Sequence, residues 1–340
     1  MSEADTVLIF GVTGQDGAYL AKLLLGQGCR VFGTCRNTEP ENLWRLSSLG
    51  IAGQIDLKHC DLGQVDQIEQ LISDIRPDQI YNLAAVSSLD EAYADPDGTQ
   101  DVNGHAVQAM LDTAFGVRPD TRFFQASSAQ IFGNTEVWPQ TETSARSPQT
   151  PYATAKIIAD DAVKAARGKG HFAVSGILYN HESPLRTDRF VSRKIAAGLV
   201  RLVRGNDGPL RLGSLDAQRD WSFAGDIMRG AALALSHPNP QDYILASGVP
   251  HRVRDWVEIG AAHLGLELEW RGRGVEEIGI DAVSGRTIIE TDPAFYRAVE
   301  PARLIGDPSR AKRHLGWSAE VDLTSLVKLM IEAELARLSD

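Results

Sequence analysis

The chain has 340 residues, of which 43% are hydrophobic and 23% charged, so it can fold around a substantial core as one or two domains. Its formal net charge of −11 disfavours a nucleic-acid or anionic-membrane surface, because such partners need a basic field. Three cysteines without CxxC or histidine-rich spacing favour a reducing compartment and no bound metal. The acidic start fits neither a signal peptide nor a membrane span, so we expect a cytoplasmic protein.

Short apolar runs alternate with helical patterns through the first half of the chain. The runs at 6–11, 29–36, 79–85, 122–127 and 171–179 predict buried strands. Helical spacing of apolar residues is found in AYLAKLLLGQG, QVDQIEQLISDI, TQDVNGHAVQAMLDTAFG and PYATAKIIADDAVKAARG. This alternation predicts an α/β protein with a Rossmann-type, doubly wound parallel sheet.

The pattern changes after residue 180. NHESPLRTD predicts a loop, FVSRKIAAGLVRLVRG predicts a basic amphipathic helix, and Gly and Pro interrupt the later short segments. We therefore expect a smaller, mixed C-terminal region that binds a substrate.

Three glycines, Gly11, Gly14 and Gly17, follow the first predicted strand and precede a helix. Glycine suits this place because the turn is tight and the backbone must approach a pyrophosphate, which the helix N-terminus stabilises. A glycine-rich turn that binds nothing is the alternative. The strand-turn-helix context favours a dinucleotide, and the GxxGxxG spacing is typical of extended short-chain dehydrogenases.

The end of the second strand distinguishes between the two nicotinamide cofactors. A carboxylate there accepts a hydrogen bond from the ribose 2′-hydroxyl, whereas a cation favours a 2′-phosphate. Arg36 lies there with no acidic residue before Glu39, so the sequence predicts NADP; a solvated arginine is the alternative. Asp61 and Leu62, after the third strand, are expected beside the adenine, although a helix cap explains Asp61 nearly as well.

Tyr152 and Lys156 are four residues apart on a predicted helix, so their side chains share one face. A cation beside a phenol lowers its pKa, which lets the tyrosinate accept a hydroxyl proton as hydride leaves for nicotinamide. An amphipathic surface pair is the alternative for this motif alone. Ser128, at the end of an earlier strand, supplies a hydroxyl that positions the substrate oxygen. The glycines, serine, tyrosine and lysine in this order predict a redox centre.

The chain resembles the GDP-mannose 4,6-dehydratase family, part of the extended short-chain dehydrogenase/reductases, over nearly its whole length. The resemblance rests on TGQDGAYLAKLL, IYNLAAVSS, FFQASSAQIFG, PYATAKIIA, GILYNHESPLR, FVSRKI, LGSLDAQRDW and LIGDPSRAKRHLGW. The NHESP segment and FVSRKI are more specific than the cofactor motifs, which many oxidoreductases share. The resemblance implies an NADP-dependent enzyme that acts on a GDP-hexose.

The resemblance also implies which residues contact each ligand. The residues implied at the GDP-sugar are Asn180, Lys194, Arg219, Arg297 and Glu300, with Ser87 as a candidate near the hexose. Those added to the glycines at the cofactor are Thr13, Gln15, Asp16, Leu83 and Ala84. Cationic side chains match diphosphate oxygens, and a carboxylate can accept from a guanine edge or a ribose. Turns, solvated charges and local ion pairs are the ordinary alternatives, and two histidines, His105 and His181, are interpreted as packed residues.

We predict an NADP-binding Rossmann domain at 1–180 plus about 215–246, and a GDP-sugar-binding domain at about 181–214 and 247–340. The resemblance implies a homodimer through helices that begin near Thr99 and Pro151. A homotetramer is the alternative, but the loop after the second strand is shorter than in the family and has Asn37 in place of an arginine.

One departure from the family lies within the catalytic motif. Related dehydratases have threonine, serine and glutamate where this chain has Ser128, Ala129 and Gln130. Serine retains the hydroxyl, but an amide cannot perform the proton transfers of the glutamate, which the family uses only to eliminate water. We therefore expect oxidation at C4 to survive and dehydration to be impaired.

Two other functions fit parts of the sequence. A reductase that converts a GDP-4-keto-6-deoxyhexose to the 4-hydroxy sugar needs only Ser128, Tyr152 and Lys156, so Gln130 favours it. The NHESP segment disfavours it, because related reductases have an isoleucine-glycine pair after the histidine. A non-catalytic protein that binds nucleotide sugars is the third candidate, and the retained tyrosine and lysine argue against it.

Overall fold

A computed structural model describes residues 4–205, 208–296 and 303–338. The strands are β1 (Thr6–Phe10), β2 (Arg30–Cys35), β3 (Asp56–His59), β4 (Gln79–Asn82), β5 (Arg122–Ser128), β6 (Phe172–Leu178), β7 (Asn180–Glu182), β8 (Leu210–Leu212), β9 (Gln218–Phe223), β10 (Tyr243–Leu245), β11 (Pro250–Arg252), β12 (Leu268–Arg271), β13 (Ile278–Asp281) and β14 (Thr287–Thr291).

The α-helices are α1 (Gln15–Gly26), α2 (Trp44–Ser48), α3 (Val65–Ile75), α4 (Leu89–Ala94), α5 (Pro96–Gln100), α6 (Ala106–Val117), α7 (Pro151–Gly168), α8 (Val191–Val203), α9 (Ala224–Ser236), α10 (Val253–His263), α11 (Ser309–Leu315) and α12 (Leu323–Arg337). A π-helical turn, Asp101–His105, joins α5 to α6. Short 3₁₀ turns occur at Pro40–Asn42, Ala52–Gln54, Ala129–Phe132 and Gly274–Glu276.

The large sheet has the strand order β10-β6-β5-β4-β1-β2-β3, and every neighbouring pair is parallel. The chain order reverses between β1 and β4. In open α/β sheets a ligand crevice lies at this reversal, beyond the carboxyl ends of the strands. The Rossmann-type fold predicted from the sequence is thereby confirmed.

Alternate residues of β1 face opposite sides of the large sheet, because successive side chains in a strand point in opposite directions. Leu8 and Phe10 enter one core with side chains of α3, α6 and α7, whereas Val7 and Ile9 enter another with side chains of α1 and α9. All four residues are fully buried. This burial on both faces explains why β1 is almost continuously apolar.

The second half of the chain builds two smaller sheets. One contains β11, β9 and β7, and the other contains β12, β13, β14 and β8. A separate core joins α8, α10 and α12 to these strands, with Trp221 and Trp256 in edge-to-face contact 5.7 Å apart. The predicted domain boundaries remain a prediction, since β9 lies in a small sheet while the following α9 packs on the large one.

The helix predicted at 99–116 differs in its details. Helical structure begins earlier, at Pro96, because the Asp95 side chain accepts a hydrogen bond from the backbone of Gly98. It then passes through the π-helical turn before α6 continues to Val117. Within the three described ranges, no helix is both long and apolar enough to cross a membrane.

Candidate active site

The glycine turn lies at the carboxyl end of β1, beside the loop that follows β4. Gly11 has a φ of +81°, and a Cβ there would lie 2.8 Å from the Ala84 Cα. A Cβ on Gly17 would lie 2.3 Å from the Gly11 carbonyl oxygen, so glycine permits the close contact of α1 with the turn. Gly14 is the exposed N-cap residue of α1, and no described side chain caps it. This open helix N-terminus fits a pyrophosphate.

The end of β2 lies against the same turn. The Gly11 N–H donates to the Thr34 hydroxyl at 3.2 Å, and the Val12 N–H donates to the Thr34 carbonyl at 3.2 Å. Arg36 follows two residues later and is exposed. Arg36 is therefore an exposed residue just beyond the end of β2, and its assignment to a 2′-phosphate stays a prediction.

The other cofactor residues predicted from the sequence flank the crevice. Leu83 and Ala84 follow β4 and are half-buried. Asp61 accepts a hydrogen bond from the Gly63 N–H at 3.0 Å, so its carboxylate stabilises a local turn. Leu62 is buried in the core beneath. Their assignment to the adenine stays a prediction.

Ser128, Tyr152 and Lys156 converge where β5 ends and α7 begins. The Thr150 side chain caps α7 and Pro151 occupies its first turn, a combination that favours a helix start and fixes Tyr152 in that turn. The Lys156 Nζ lies 5.6 Å from the centre of the Tyr152 ring and donates to the Ala126 carbonyl oxygen at 2.7 Å. The Ser128 hydroxyl hydrogen-bonds the Tyr152 phenol.

Burial controls the protonation of this centre. It raises the pKa of Tyr152, and the hydrogen bond with Ser128 opposes that rise. It lowers the pKa of Lys156 to about 8, which leaves the ammonium form dominant at neutral pH. A buried ammonium beside a phenol favours the tyrosinate, so the arrangement can remove a hydroxyl proton from a substrate.

Gln130 lies in the 3₁₀ turn that directly follows Ser128. Its backbone N–H donates to the Ser128 hydroxyl oxygen at 3.2 Å, and the residue is half-buried. Among the described residues, none hydrogen-bonds its side-chain amide. Gln130 is thus directly beside Ser128 of the proposed redox centre.

A second cleft, of about 550 Å³, brings together three residues that the resemblance assigned to the GDP-sugar: Asn180, Lys194 and Arg219. They come from β7, α8 and β9, and the parallel pairing of β7 with β9 places Asn180 opposite Trp221. The Lys194 Nζ lies 4.6 Å from the centre of the Phe295 ring, at the wall of the cleft. Ser87 is exposed on the β4–α4 loop and does not line the cleft. Arg297 and Glu300 lie outside the described residues.

Three charged residues of this cleft were not predicted from the sequence. Arg186 stacks on Phe190 at 3.6 Å and pairs with Glu182 at 3.0 Å, and Arg189 lies at the same wall. The two arginines lie in LRTDR, directly after NHESP, and Glu182 lies within NHESP, so this stretch could have indicated them. With Lys194 and Arg219 they give the cleft four cations against one buried carboxylate, although the chain is acidic overall. Such a field suits a diphosphate.

Side-chain contacts join the start of α1 to residues 181–183, next to the cleft residue Asn180. The Asp16 carboxylate lies 2.9 Å from His181 Nε2, and the Ser183 hydroxyl donates to the Gln15 amide oxygen at 2.7 Å. Burial raises the pKa of Asp16, but the adjacent His181 outweighs it and lowers the pKa to about 2. His181 has a raised pKa because Asp16 outweighs the effect of burial. His181 is packed and paired, as the sequence interpretation expected. The interpretation is wrong for His105, which is exposed and pairs with Asp101 on the outer side of the π-helical turn.

Asn103, in the π-helical turn, was also not predicted. Its side chain accepts from the Val86 N–H at 2.8 Å and donates to the Val86 carbonyl oxygen at 2.9 Å. It thereby fixes the loop after β4, which forms one wall of the crevice.

The sheet order and the glycine turn define the class of protein, a Rossmann-type α/β protein. The model of the GDP-mannose 4,6 dehydratase family matches residues 8–330. The GDP-mannose 4,6-dehydratase of Sinorhizobium fredii is 37% identical over 346 residues, covering 99% of each chain. The chain therefore belongs to the GDP-mannose 4,6-dehydratase family, a family of nucleotide-sugar enzymes.

Solved structures agree with this fold. The structure of RMD from Pseudomonas aeruginosa complexed with NADPH has a TM-score of 0.77 and 20% identity, and covers 98% of this chain and 100% of that chain. The dTDP-glucose 4,6-dehydratase DesIV from Streptomyces venezuelae, with NAD and TYD bound, has a TM-score of 0.77 and 20% identity, with 98% of each chain covered.

Proposed function

We propose that the protein is an NADP-dependent enzyme that oxidises C4 of a GDP-hexose to a 4-ketone, and that it eliminates water to give the 4-keto-6-deoxy sugar only slowly. The observation that carries this proposal is the contrast at the end of β5. Ser128, Tyr152 and Lys156 are assembled there, whereas the next turn bears the amide of Gln130 instead of a carboxylate.

The residues of the redox centre have distinct roles in the first step. Ser128 donates a hydrogen bond to O4 and fixes its position. Tyr152, as tyrosinate, accepts the O4 proton, and the Lys156 ammonium stabilises the phenolate. NADP, when bound, supplies the acceptor for the C4 hydride.

The loss of water needs a further base and acid. A 4-ketone acidifies the C5 proton, which must be removed before the C6 hydroxyl can leave as water. Elimination leaves a C5–C6 double bond, and the 6-deoxy sugar then requires a proton at C5 and the return to C6 of the hydride that bound NADPH would supply. A carboxylate at position 130 could accept the first proton and return one to the leaving hydroxyl. The Gln130 amide cannot ionise in this way, and absence of a positioned general acid/base typically costs about 10²- to 10⁴-fold.

A reductase activity is the second candidate, and Gln130 is the observation that favours it. Reduction of a GDP-4-keto-6-deoxyhexose needs a hydroxyl to orient the ketone and a phenol to protonate O4, and Ser128 and Tyr152 supply both. It does not need a carboxylate at position 130. The similarity of the fold to RMD complexed with NADPH is compatible with this direction but shows the fold alone.

One experiment separates the two activities. The purified protein is incubated with GDP-mannose and NADP, and separately with GDP-4-keto-6-deoxymannose and NADPH, and the products are identified by mass and NMR. We expect C4 oxidation and little loss of water in the first mixture. Rapid reduction in the second mixture, without oxidation in the first, would make the reductase the better assignment.

Arg36 is expected to select NADP over NAD. A charge-assisted contact contributes about 1.5 to 3 kcal/mol, or roughly ten- to a hundredfold in affinity. Arg36→Ala should weaken NADPH binding by that factor and leave NADH binding nearly unchanged, as measured by calorimetry. Arg30→Ala, which removes an exposed arginine at the other end of β2, is the control. Equal affinity of the wild type for both cofactors would exclude the NADP assignment.

The cationic cleft is expected to prefer GDP to other nucleoside diphosphates. GDP should raise the melting temperature more than UDP or dTDP, because a ligand that binds the native state stabilises it by mass action. Arg219→Ala should weaken GDP binding by about tenfold or more, since a bidentate contact to phosphate is lost. Arg211→Ala, on the neighbouring sheet and exposed, is the matched control. Equal protection by UDP would contradict guanine specificity.

A further inference from the structure

The helix that bears Tyr152 and Lys156 carries an aspartate one turn further on. Asp160 follows Lys156 by four residues, so the two side chains lie on one face of α7. Both residues are 3% exposed. The Ser127 hydroxyl donates to Asp160 Oδ2 at 2.7 Å, which holds the carboxylate against the end of β5.

A cavity of about 320 Å³ lies on the other side of Asp160. Asp160 Oδ1 and the Ser175 hydroxyl oxygen both belong to residues that line it, and neither atom hydrogen-bonds a described residue. Buried polar atoms normally have a partner, which in a polar cavity of this size can be water. Burial raises the pKa of the Asp160 carboxyl and the Ser175 hydroxyl lowers it, and the cavity has room for a water that can complete the hydrogen bonding of both groups.

Other charged groups around Asp160 have partners of their own. Arg167 forms a two-pronged ion pair with Asp242, Arg310 pairs with Glu142, and Arg146 pairs with Asp161. The titratable and charged residues that face Asp160 or line its cavity are Tyr152, Lys156, Lys164, Glu142, Arg146 and Asp242. Within the described ranges, Asp160 has no arginine partner. Burial lowers the pKa of Lys156, and the charges of Asp160 and Asp16 both oppose that decrease. Burial also raises the pKa of Tyr152, and the charge of Asp160 is a minor cause of that rise.

We propose that Asp160 is a positioning residue of the redox centre: its carboxylate, solvated through the adjoining cavity, keeps Lys156 in the ammonium form on which Tyr152 depends. This inference rests on the proposed function, since it gives Lys156 the task of stabilising a tyrosinate. It adds a fourth residue, which the sequence did not single out, to Ser128, Tyr152 and Lys156.

The charges of the two residues define a pH window. Burial raises the pKa of Asp160 to about 6, and the hydrogen bond from Ser127 limits the rise. Burial lowers the pKa of Lys156 to about 8, and the negative charge of Asp160 opposes that decrease. Between these values both groups are charged. Removing the carboxylate should lower the pKa of Lys156 further. The ammonium form of Lys156 would then be lost at a lower pH.

Asp160→Asn tests the inference without relying on turnover. With ¹³C-labelled lysine, the NMR titration midpoint of Lys156 should fall by about one pH unit or more, the usual effect of losing a nearby opposite charge. The Lys156 signal is assigned by its loss in Lys156→Met. Asp112→Asn is the matched control, because it removes the same charge from an exposed position on α6. Its Lys156 midpoint should equal that of the wild type.

The pH profile of C4 oxidation provides a second measurement. In Asp160→Asn the alkaline limb of kcat should move down by about one pH unit, a loss of about fivefold at pH 8 and about ninefold at pH 9, with KM for the GDP-sugar unchanged. Asp160→Glu should restore most of the profile. Asp160→Ser removes the same charge in a smaller side chain; it should lower the Lys156 midpoint by a similar amount, and it serves if Asp160→Asn does not fold.

The outcomes distinguish the two proposals. A Lys156 midpoint that stays at its wild-type value in folded Asp160→Asn, or in folded Asp160→Ser, overturns the role of Asp160. A wild type that neither oxidises C4 nor reduces the 4-keto sugar overturns the proposed function, whereas the NMR titration still reports whether Asp160 controls Lys156.

Discussion

Gln130→Glu is expected to increase the release of water from GDP-mannose by about 10²- to 10⁴-fold, the usual contribution of a positioned general acid/base. The change is local, because glutamate differs from glutamine by one oxygen in place of a nitrogen at similar volume. Only C5 deprotonation and C6 protonation require the carboxylate, so the affinities for NADP and GDP should stay nearly constant. The measurement is the rate of formation of the 4-keto-6-deoxy product by NMR.

Gln64→Glu is the matched control, since it makes the same chemical change at an exposed position next to α3. It should leave the rate of water release at the wild-type value. A wild type that already dehydrates GDP-mannose rapidly, with no gain in Gln130→Glu, would mean that another group moves the proton. Reduction of the 4-keto sugar by both proteins, without dehydration by either, would favour the reductase.

Tyr152→Phe is expected to abolish measurable C4 oxidation and, in the Gln130→Glu background, the release of water as well. The substitution removes the phenol that exchanges a proton with O4, and the ketone must form before C5 becomes acidic. A loss of about 10²- to 10⁴-fold in kcat is expected from the missing acid/base alone. Single-turnover formation of NADPH, followed at its absorbance, measures this step directly.

Tyr93→Phe is the control for this substitution, because Tyr93 is a 58% exposed tyrosine on α4. It should keep wild-type kinetics. Binding of NADP and GDP to Tyr152→Phe should also stay close to that of the wild type, which separates loss of chemistry from loss of folding. Retention of more than a tenth of the wild-type oxidation rate would show that Tyr152 is not the acid/base.

The large sheet could be predicted from the sequence because each strand, turn and helix start is specified by residues that are neighbours in the chain. β1 is an apolar run of strand length that ends at a glycine turn, and α7 begins with a capping threonine and a proline. The same is true of the Tyr152–Lys156 pair, whose geometry follows from helical spacing. Ser128 could be assigned to the same site because strands and helices alternate regularly up to β5, which places this residue at the end of a strand.

Contacts between distant parts of the chain could not be predicted in this way. Asp16 and His181 meet because β1 and β6 are parallel, so the segments that follow both strands lie beyond the carboxyl ends of the sheet. No local pattern records that meeting, nor the bond between Asn103 and Val86 across a π-helical turn. Asp160 could not be predicted because it fits the ordinary amphipathic pattern of α7. Its burial depends on contacts with Ser127 and with the adjoining cavity, which lie outside that pattern.

The contacts of α1 with residues 181–183 are expected to make the two proposed ligand sites thermodynamically dependent on each other. Gln15 and Asp16 begin the helix that fits a pyrophosphate, and they hold His181 and Ser183, which adjoin the substrate cleft. A nucleotide that restrains one side also restrains the other, so the second ligand loses less conformational entropy on binding. Linkage requires the resulting cooperativity to be reciprocal: each ligand strengthens the binding of the other by the same factor.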